Sequence, residues 1–290
     1  DLNKSAGMAP RCVAELFRLL QDRHAAFSYQ VHVSMLQLHK EQLQDLLFTS
    51  EAEGKDGAEG RVDSVDGTDG TDAPAPTLEV VPPDPSDPAS PQVVRVQGAV
   101  LRQAESPVDV LRIFQEGSAR SKASPARAHL IVRLQVTCTN RRSNVTTVGC
   151  IAMCDLAGSE RIDKASGADN DAIKEGISVA NSLKALGDCV SAVGSGSGRV
   201  PHKGHMLTML LCDCLHSEAK VVMIVNTSAS DLEATESNAS LNFASKCKDS
   251  GGAGGLAPAV QAQQLNALKK ELAKMKKAGG KGKGQLARPG

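Results

Sequence analysis

The chain has 290 residues, with 33 Lys and Arg against 33 Asp and Glu, 41% apolar residues, and 2% aromatics with no Trp. Balanced charge argues against nucleic acid as a bulk electrostatic partner, and no apolar run reaches the roughly 18 residues of a membrane-span candidate. The length suits one large α/β domain or two small ones, with a core of Leu, Val, Ile, Ala and Met.

The opening DLNKSAGMAPR has no signal-peptide pattern and no initiator Met, and reads as the start of a chain in mid-domain. Residues 10–23 begin with a Pro suited to a first helical turn, and Val13, Leu16, Phe17 and Leu20 recur at helical spacing. Residues 27–39 alternate Tyr29, Val31, Val33 and Met35 on one face, predicting a strand. KEQLQDLLFT (40–49) returns to a helical period. Residues 51–90 hold eleven acids against Lys55 and Arg61 and show no periodicity, predicting an acidic disordered insertion.

PQVVRVQGAV (91–100) predicts a short strand pair, 107–120 a helix, and 128–140 a strand with Leu130, Val132, Leu134 and Val136 on one face. VTTVGCIAMCD (145–155) is nearly all apolar, as expected of a central strand covered on both faces. A helix is predicted from about residue 171 to 193, a second within 200–216, a second buried strand in AKVVMIVNTSAS (219–230), and a further helix over 231–248. GGAGGLAP (251–258) is a Gly-rich linker. Residues 259–278 form a basic amphipathic helix with Leu265, Leu268, Leu272 and Met275 on one side, and 279–290 a disordered tail. Eight Cys sit mostly inside apolar segments without paired spacing, and the seven His show no metal-ligand spacing. Reduced core thiols are expected rather than a zinc site or disulfides.

Alternating strands and helices argue for a layered α/β domain. DLAGSER (155–161), NSLKALGDCVSAV (181–193), VPHKGHMLTMLLCDCL (200–215), AKVVMIVNTSAS (219–230) and SLNFASKCK (240–248) resemble, in order and spacing, the later part of a kinesin motor domain. Upstream, GMAPRCVAELFRLL and VSMLQLHKEQLQDLL are similar to the segments that follow the kinesin phosphate loop. The resemblance implies the layered kinesin, P-loop NTPase-like fold: a central mixed sheet with helices on both faces, incomplete at the N-terminus and covering residues 1–250. A motor followed by a short basic helix is most similar to C-terminal-motor kinesins of the calmodulin-binding type. The family implies ATP and Mg²⁺ as cofactors, microtubules as partner, and a place in the cytoplasm on the microtubule cytoskeleton.

Phosphoryl transfer relies on positioning and charge stabilisation, so its parts can be sought one by one. A phosphate loop, GxxxxGK followed by Ser or Thr, does not occur: Gly54-Lys55, Gly280-Lys281 and Gly282-Lys283 lack both the first Gly and the hydroxyl. Where the family's first switch reads SSRSH, this chain has Pro125-Ala126-Arg127-Ala128-His129, with Ser124 one position upstream. Arg127 and His129 survive, but the three hydroxyl positions do not. The second switch is intact. By resemblance Asp155 holds a water on Mg²⁺, the Gly158 amide senses the γ-phosphate, and Glu160 pairs with Arg127 to close the site as the catalytic latch.

The resemblance also assigns Lys164, Lys174, Lys184, His202 and Lys203 to the microtubule face, opposite an acidic tubulin surface. The final helix, with Lys269 and Lys270 flanking Leu265, Leu268, Leu272 and Met275, suits calmodulin or another acidic partner, or coiled-coil pairing. Two functions are open at this stage: a stretch of an ATP-driven microtubule motor, or a degenerate, ATPase-inactive microtubule-binding module.

Overall fold

The computed structural model describes residues 6–49, 76–83, 93–123, 127–160, 170–197, 199–216 and 219–249. The chain divides into two compact units, Asp1–Leu156 and Ala157–Gly290. The linker, basic helix and tail expected at 251–290, and most of the acidic 51–90 stretch, lie outside the described residues.

The first unit is a sheet with two helices on one face. Helix α1 (Met8–Asp22) buries Val13 and Phe17, and ends where the Arg23 amide donates to the Leu20 carbonyl and the His24 amide to the Gln21 carbonyl, each at 3.2 Å. Strand β1 (Phe27–His39) pairs antiparallel with β6 (His129–Asn140) over twelve residues, from Phe27 opposite Asn140 to Leu38 opposite His129. That register puts Val31, Val33 and Met35 beside Val136, Leu134 and Val132. This face meets α1 and helix α2 (Pro107–Lys122), whose Val110 and Ile113 complete the core. Helix α2 starts on a capping box: the Asp109 amide donates to Ser106 Oγ at 3.2 Å, and the Ser106 amide donates back to the Asp109 carboxylate at 3.0 Å. Gly117 of α2 lies against Met35, where a Cβ would come within 2.7 Å of the methionine methyl.

The helix expected at 40–49 is instead a hairpin. Lys40 and Glu41 take left-handed φ values of 47° and 65°, and β2 (Gln42–Asp45) pairs back along β1. The free edge of β1 supplies hydrogen-bond partners that outweigh a weak local preference for helix. The leucines that mimic a helical period are buried by a turn: Leu46 donates to the Met35 carbonyl at 2.9 Å. Asp45 then accepts from the amides of Leu47 at 2.8 Å and Val100 at 2.6 Å.

A second correction falls inside the stretch expected to be structureless. Glu79–Val81 forms β3 and pairs with β4 (Arg95–Gln97), so 91–100 contributes one strand and not a pair. Val80, Val93 and Val94 are buried around this ribbon, which explains why a three-residue strand persists within a polar run. Gly98 closes it at φ 85°, with the Thr77 carbonyl 2.7 Å from where a Cβ would stand. Strand β5 (Arg102–Ala104) pairs with β1 at Val31–Val33.

Strand β7 (Thr146–Asp155) follows β6 through a short turn, and pairs with it from Thr139 opposite Thr146 to Leu130 opposite Asp155. It was expected to be central and covered on both faces. Among the described residues it has β6 as its one neighbour, and none of its ten residues is buried.

The second unit is helical. Helix α3 (Asn170–Gly194) buries Val179, Ser182, Leu186, Cys189 and Val190. Gly187 lets Phe243 of α5 (Ala234–Asp249) approach, where a Cβ would sit 3.0 Å from the ring. A 3-10 turn (His202–Gly204) leads into the short α4 (Met206–Leu210). Residues 219–230, expected as a buried strand, are irregular apart from a single bridge at Val222. Val222 and Ile224 are 59% and 52% exposed, because no ladder covers them among the described residues. No described helix is long and apolar enough to cross a membrane.

Candidate functional site

The switch-like turn grows out of β7. That strand ends in Asp155, exposed and opposite Leu130, so the β6 ladder fixes where the carboxylate leaves the sheet. The helical unit then begins with Ala157, 8% exposed, which anchors an exposed Gly158-Ser159-Glu160 turn. Glu160 folds back over Gly158: a Cβ on Gly158 would collide with the Glu160 carboxylate, whose Cδ lies 2.7 Å from that position. The collision is with the far end of an exposed side chain, so a Cβ at 158 would displace the Glu160 carboxylate and not the backbone; the φ of Gly158 is not left-handed. Ser159 Oγ lies 3.4 Å from Ser240 Oγ of α5, linking the turn to a helix that sequence reasoning did not associate with it. Ser240 falls within the SLNFASKCK motif, the one signal that could have pointed to it.

In the sheet unit, Arg127 is half-buried just before β6, and His129 is the first residue of that strand, 3% exposed. Arg127 and His129 thus belong to one unit, and Gly158 and Glu160 to the other. Ser124, Pro125 and Ala126 lie outside the described residues.

A nucleoside triphosphate needs several donors and cations around its phosphates. These residues offer one carboxylate for a metal-bound water and one glycine amide beside a carboxylate. They hold no phosphate-loop lysine, and apolar side chains or proline where switch hydroxyls are needed. The donor set present does not by itself fit ATP and Mg²⁺, and no hydrolytic step follows from it alone. Among the described residues no group of His, Cys, Asp and Glu could hold a metal ion.

The expected filament-facing residues are better resolved. Lys174 and Lys184 are exposed on α3, ten residues apart and so about 15 Å along the axis. Lys174 makes a solvent-exposed ion pair with Asp171 at 3.7 Å, of a kind that contributes little to stability. Ile177 is 56% exposed between them. Lys203 is exposed on the 3-10 turn, whose shape is held by Thr208 Oγ1 donating to the carbonyls of His202 at 2.7 Å and His205 at 2.8 Å. His202 is half-buried, and its buried Nδ1 finds no hydrogen-bond partner among the described residues. Burial, and then His216, push its proton affinity below the ordinary histidine value, so it adds no positive charge at neutral pH. Lys164 and the final-helix residues Leu265, Leu268, Lys269, Lys270, Leu272 and Met275 lie outside the described residues.

Residues 1–250 match the family model described as kinesin motor domain. Similar proteins include the kinesin-like protein KIN-14I of Oryza sativa subsp. japonica, 29% identical over 249 residues covering 83% of this chain and 18% of that protein. KIN-14C of Arabidopsis thaliana is 31% identical over 241 residues, covering 83% of this chain and 29% of that protein. The chain thus spans less than a third of these relatives. Among solved structures, the C-terminal motor and motor homology domain of Kar3Vik1 aligns with a TM-score of 0.68 at 24% identity. It covers 85% of this chain and 59% of that one. KIF14 with ADP in complex with a microtubule aligns at 0.67 and 23%, covering 86% and 67%. These likenesses establish the fold, an α/β kinesin motor architecture. The motifs read in order along the sequence, the sheet and helices that carry them, and the family match over residues 1–250 agree: this chain belongs to the kinesin motor domain family.

Proposed function

We propose that the chain serves a microtubule-based motor, contributing the second-switch turn and the filament-facing helix of an ATP-dependent motor domain. The observation that carries this reading is the exposed face of α3. It keeps Lys174 and Lys184 in solvent within a chain that matches the motor family over residues 1–250. Kinesin motor domains bind microtubules and belong to a nucleotide-binding ATPase family. In this reading Lys174, Lys184 and Lys203 meet the acidic filament surface, and Lys164 extends the same positive field. Asp155, Gly158, Glu160 and Arg127 take the switch roles that family membership implies, with His129 and Ser124 beside them. These roles depend on a phosphate loop that does not occur in these 290 residues. The cytoplasm, on microtubules, is the corresponding location. The basic segment at 259–278 is proposed as a site for calmodulin or another acidic partner, its alternating Leu and Lys being the support.

Microtubule co-sedimentation of the full-length protein tests the reading. Replacing Lys174, Lys184 and Lys203 together with Ala should weaken binding about tenfold at low salt, as expected for three exposed charge contacts. Unchanged affinity would reject α3 as the filament face. A parallel measurement compares affinity with ADP and with a non-hydrolysable ATP analogue. Affinity that depends on the nucleotide supports the motor, and affinity blind to it supports the ATPase-inactive module.

A further inference from the structure

One end of the sheet unit carries a compact group of three arginines and a histidine that the motor reading does not use. The turn after α1 presents Arg23 and His24, and the turn joining β6 to β7 presents Arg141 and Arg142, all exposed. The two turns are fastened together. The Arg141 amide donates to the Ala26 carbonyl at 2.9 Å, and Arg141 Nε donates to the His24 carbonyl at 3.2 Å. Within the second turn, Asn140 Oδ1 accepts from the amides of Arg142 at 2.9 Å and Ser143 at 3.1 Å, and Asn144 takes φ 55°. The positive groups are thus presented by an ordered backbone.

Their charge is not neutralised locally. Arg23, Arg141 and Arg142 form no ion pair among the described residues, and neither turn contains an acid. The adjacent Asp22 is engaged by Arg18 at 2.7 Å. Guanidinium groups present planar forks that match carboxylates in pairs. We propose that this tip docks an acidic peptide segment of a partner protein, a run of Glu and Asp side chains bridging the α1–β1 and β6–β7 turns.

Other polyanions suit the surface less well. No aromatic side chain is strongly exposed in the described structure, and Phe27 beside the tip is only half-exposed, so the tip offers no open aromatic platform for unpaired bases. Val145, 58% exposed, is the one strongly exposed large apolar side chain at the tip among the described residues, too little to enter a bilayer. The chain's formal charge of zero also gives no long-range field for nucleic acid.

The test uses the full-length protein and a fluorescein-labelled peptide of about ten glutamates, followed by anisotropy at low salt. Arg23→Ala with Arg142→Ala should weaken binding roughly twentyfold, about fivefold for each exposed ion-pairing group removed. Neither side chain holds a hydrogen bond in the described structure, so the fold should survive, with an unchanged unfolding midpoint as the control. Ser143→Glu, which places a negative charge next to Arg142 in the β6–β7 turn, should weaken binding about fivefold. Lys174→Ala with Lys184→Ala should leave it within about twofold. The proposal fails if the peptide does not bind, if the arginine variants leave affinity unchanged, or if the α3 lysines account for the binding. It also fails if phosphatidylserine vesicles or a single-stranded oligonucleotide bind more tightly than the peptide in the same arginine-dependent way.

Discussion

Three apolar stretches of this chain look alike in composition and differ in what surrounds them. Strand β6 lies between β1 and β7, and five of its twelve residues are buried. Strand β7 has β6 alone beside it among the described residues, and none of its ten residues is buried. Residues 219–230 have a single bridge, and Val222 and Ile224 stand in solvent. The order follows the number of hydrogen-bonded neighbours, not the share of Val and Ile. An apolar run therefore states how much cover a strand could use, and its neighbours decide how much it receives.

Mutations can break or sharpen this gradient, with urea unfolding of the full-length protein as the measurement. Leu134→Ala should have the largest effect, about 3 kcal/mol, because Leu134 is fully buried between Val33 and Ile151. Ile151→Ala, across the ladder and half-buried, should cost about 1 kcal/mol. Equal losses at both positions would mean that β7 is as covered as β6 and would break the comparison.

Ser106→Ala probes the face on which β6 rests, since Ser106 caps α2. It should cost about 1 kcal/mol. It should also alter the acid limb of stability. The Asp109 carboxyl is held below the ordinary aspartate value, first by the Ser106 hydroxyl and then by the Glu105 amide. A depressed folded value stabilises the protein above the unfolded aspartate value, about pH 4, and that contribution is lost as pH falls through the folded value. The Ser106→Ala protein should therefore lose less stability on acidification than the parent, and an identical acid limb would count against the capping box.

Ile224→Ser should have the smallest effect, within about 0.5 kcal/mol, as for an exposed position. A loss as large as that of Leu134→Ala would place 219–230 in a ladder and remove the lower end of the gradient.

Much of the fold was legible where local spacing and tertiary cover agree. The period of two at Tyr29, Val31, Val33 and Met35 marked β1 to its observed bounds, Phe27–His39. Helical spacing marked α1, α2, α3 and α5 to within a few residues. Residues 40–49 misled, because Leu43, Leu46 and Leu47 satisfy a helical period and a strand followed by a turn equally well. Only the open edge of β1 and the left-handed Lys40-Glu41 turn choose between them. Strand β3 was hidden because three residues are too few to show a period within a run of Asp, Pro and Gly.

The candidate site divides in the same way. Residue order alone marked Asp155, Gly158, Glu160, Arg127 and the lysines of α3, because a motif keeps the side chains its chemistry requires in fixed sequence. It could not show the Glu160 carboxylate lying over the Gly158 α-carbon, the nearness of Ser159 to Ser240, or the neutral, half-buried His202. Those features depend on the local path of the backbone, on desolvation and, for Ser159 and Ser240, on partners brought in from distant parts of the chain. The sequence by itself determined the family, the long helices and the strands β1, β6 and β7, and which residues could carry charge or chemistry. The tertiary structure alone decided which strands are covered and which charges stay in water, because burial and pairing belong to neighbours in space.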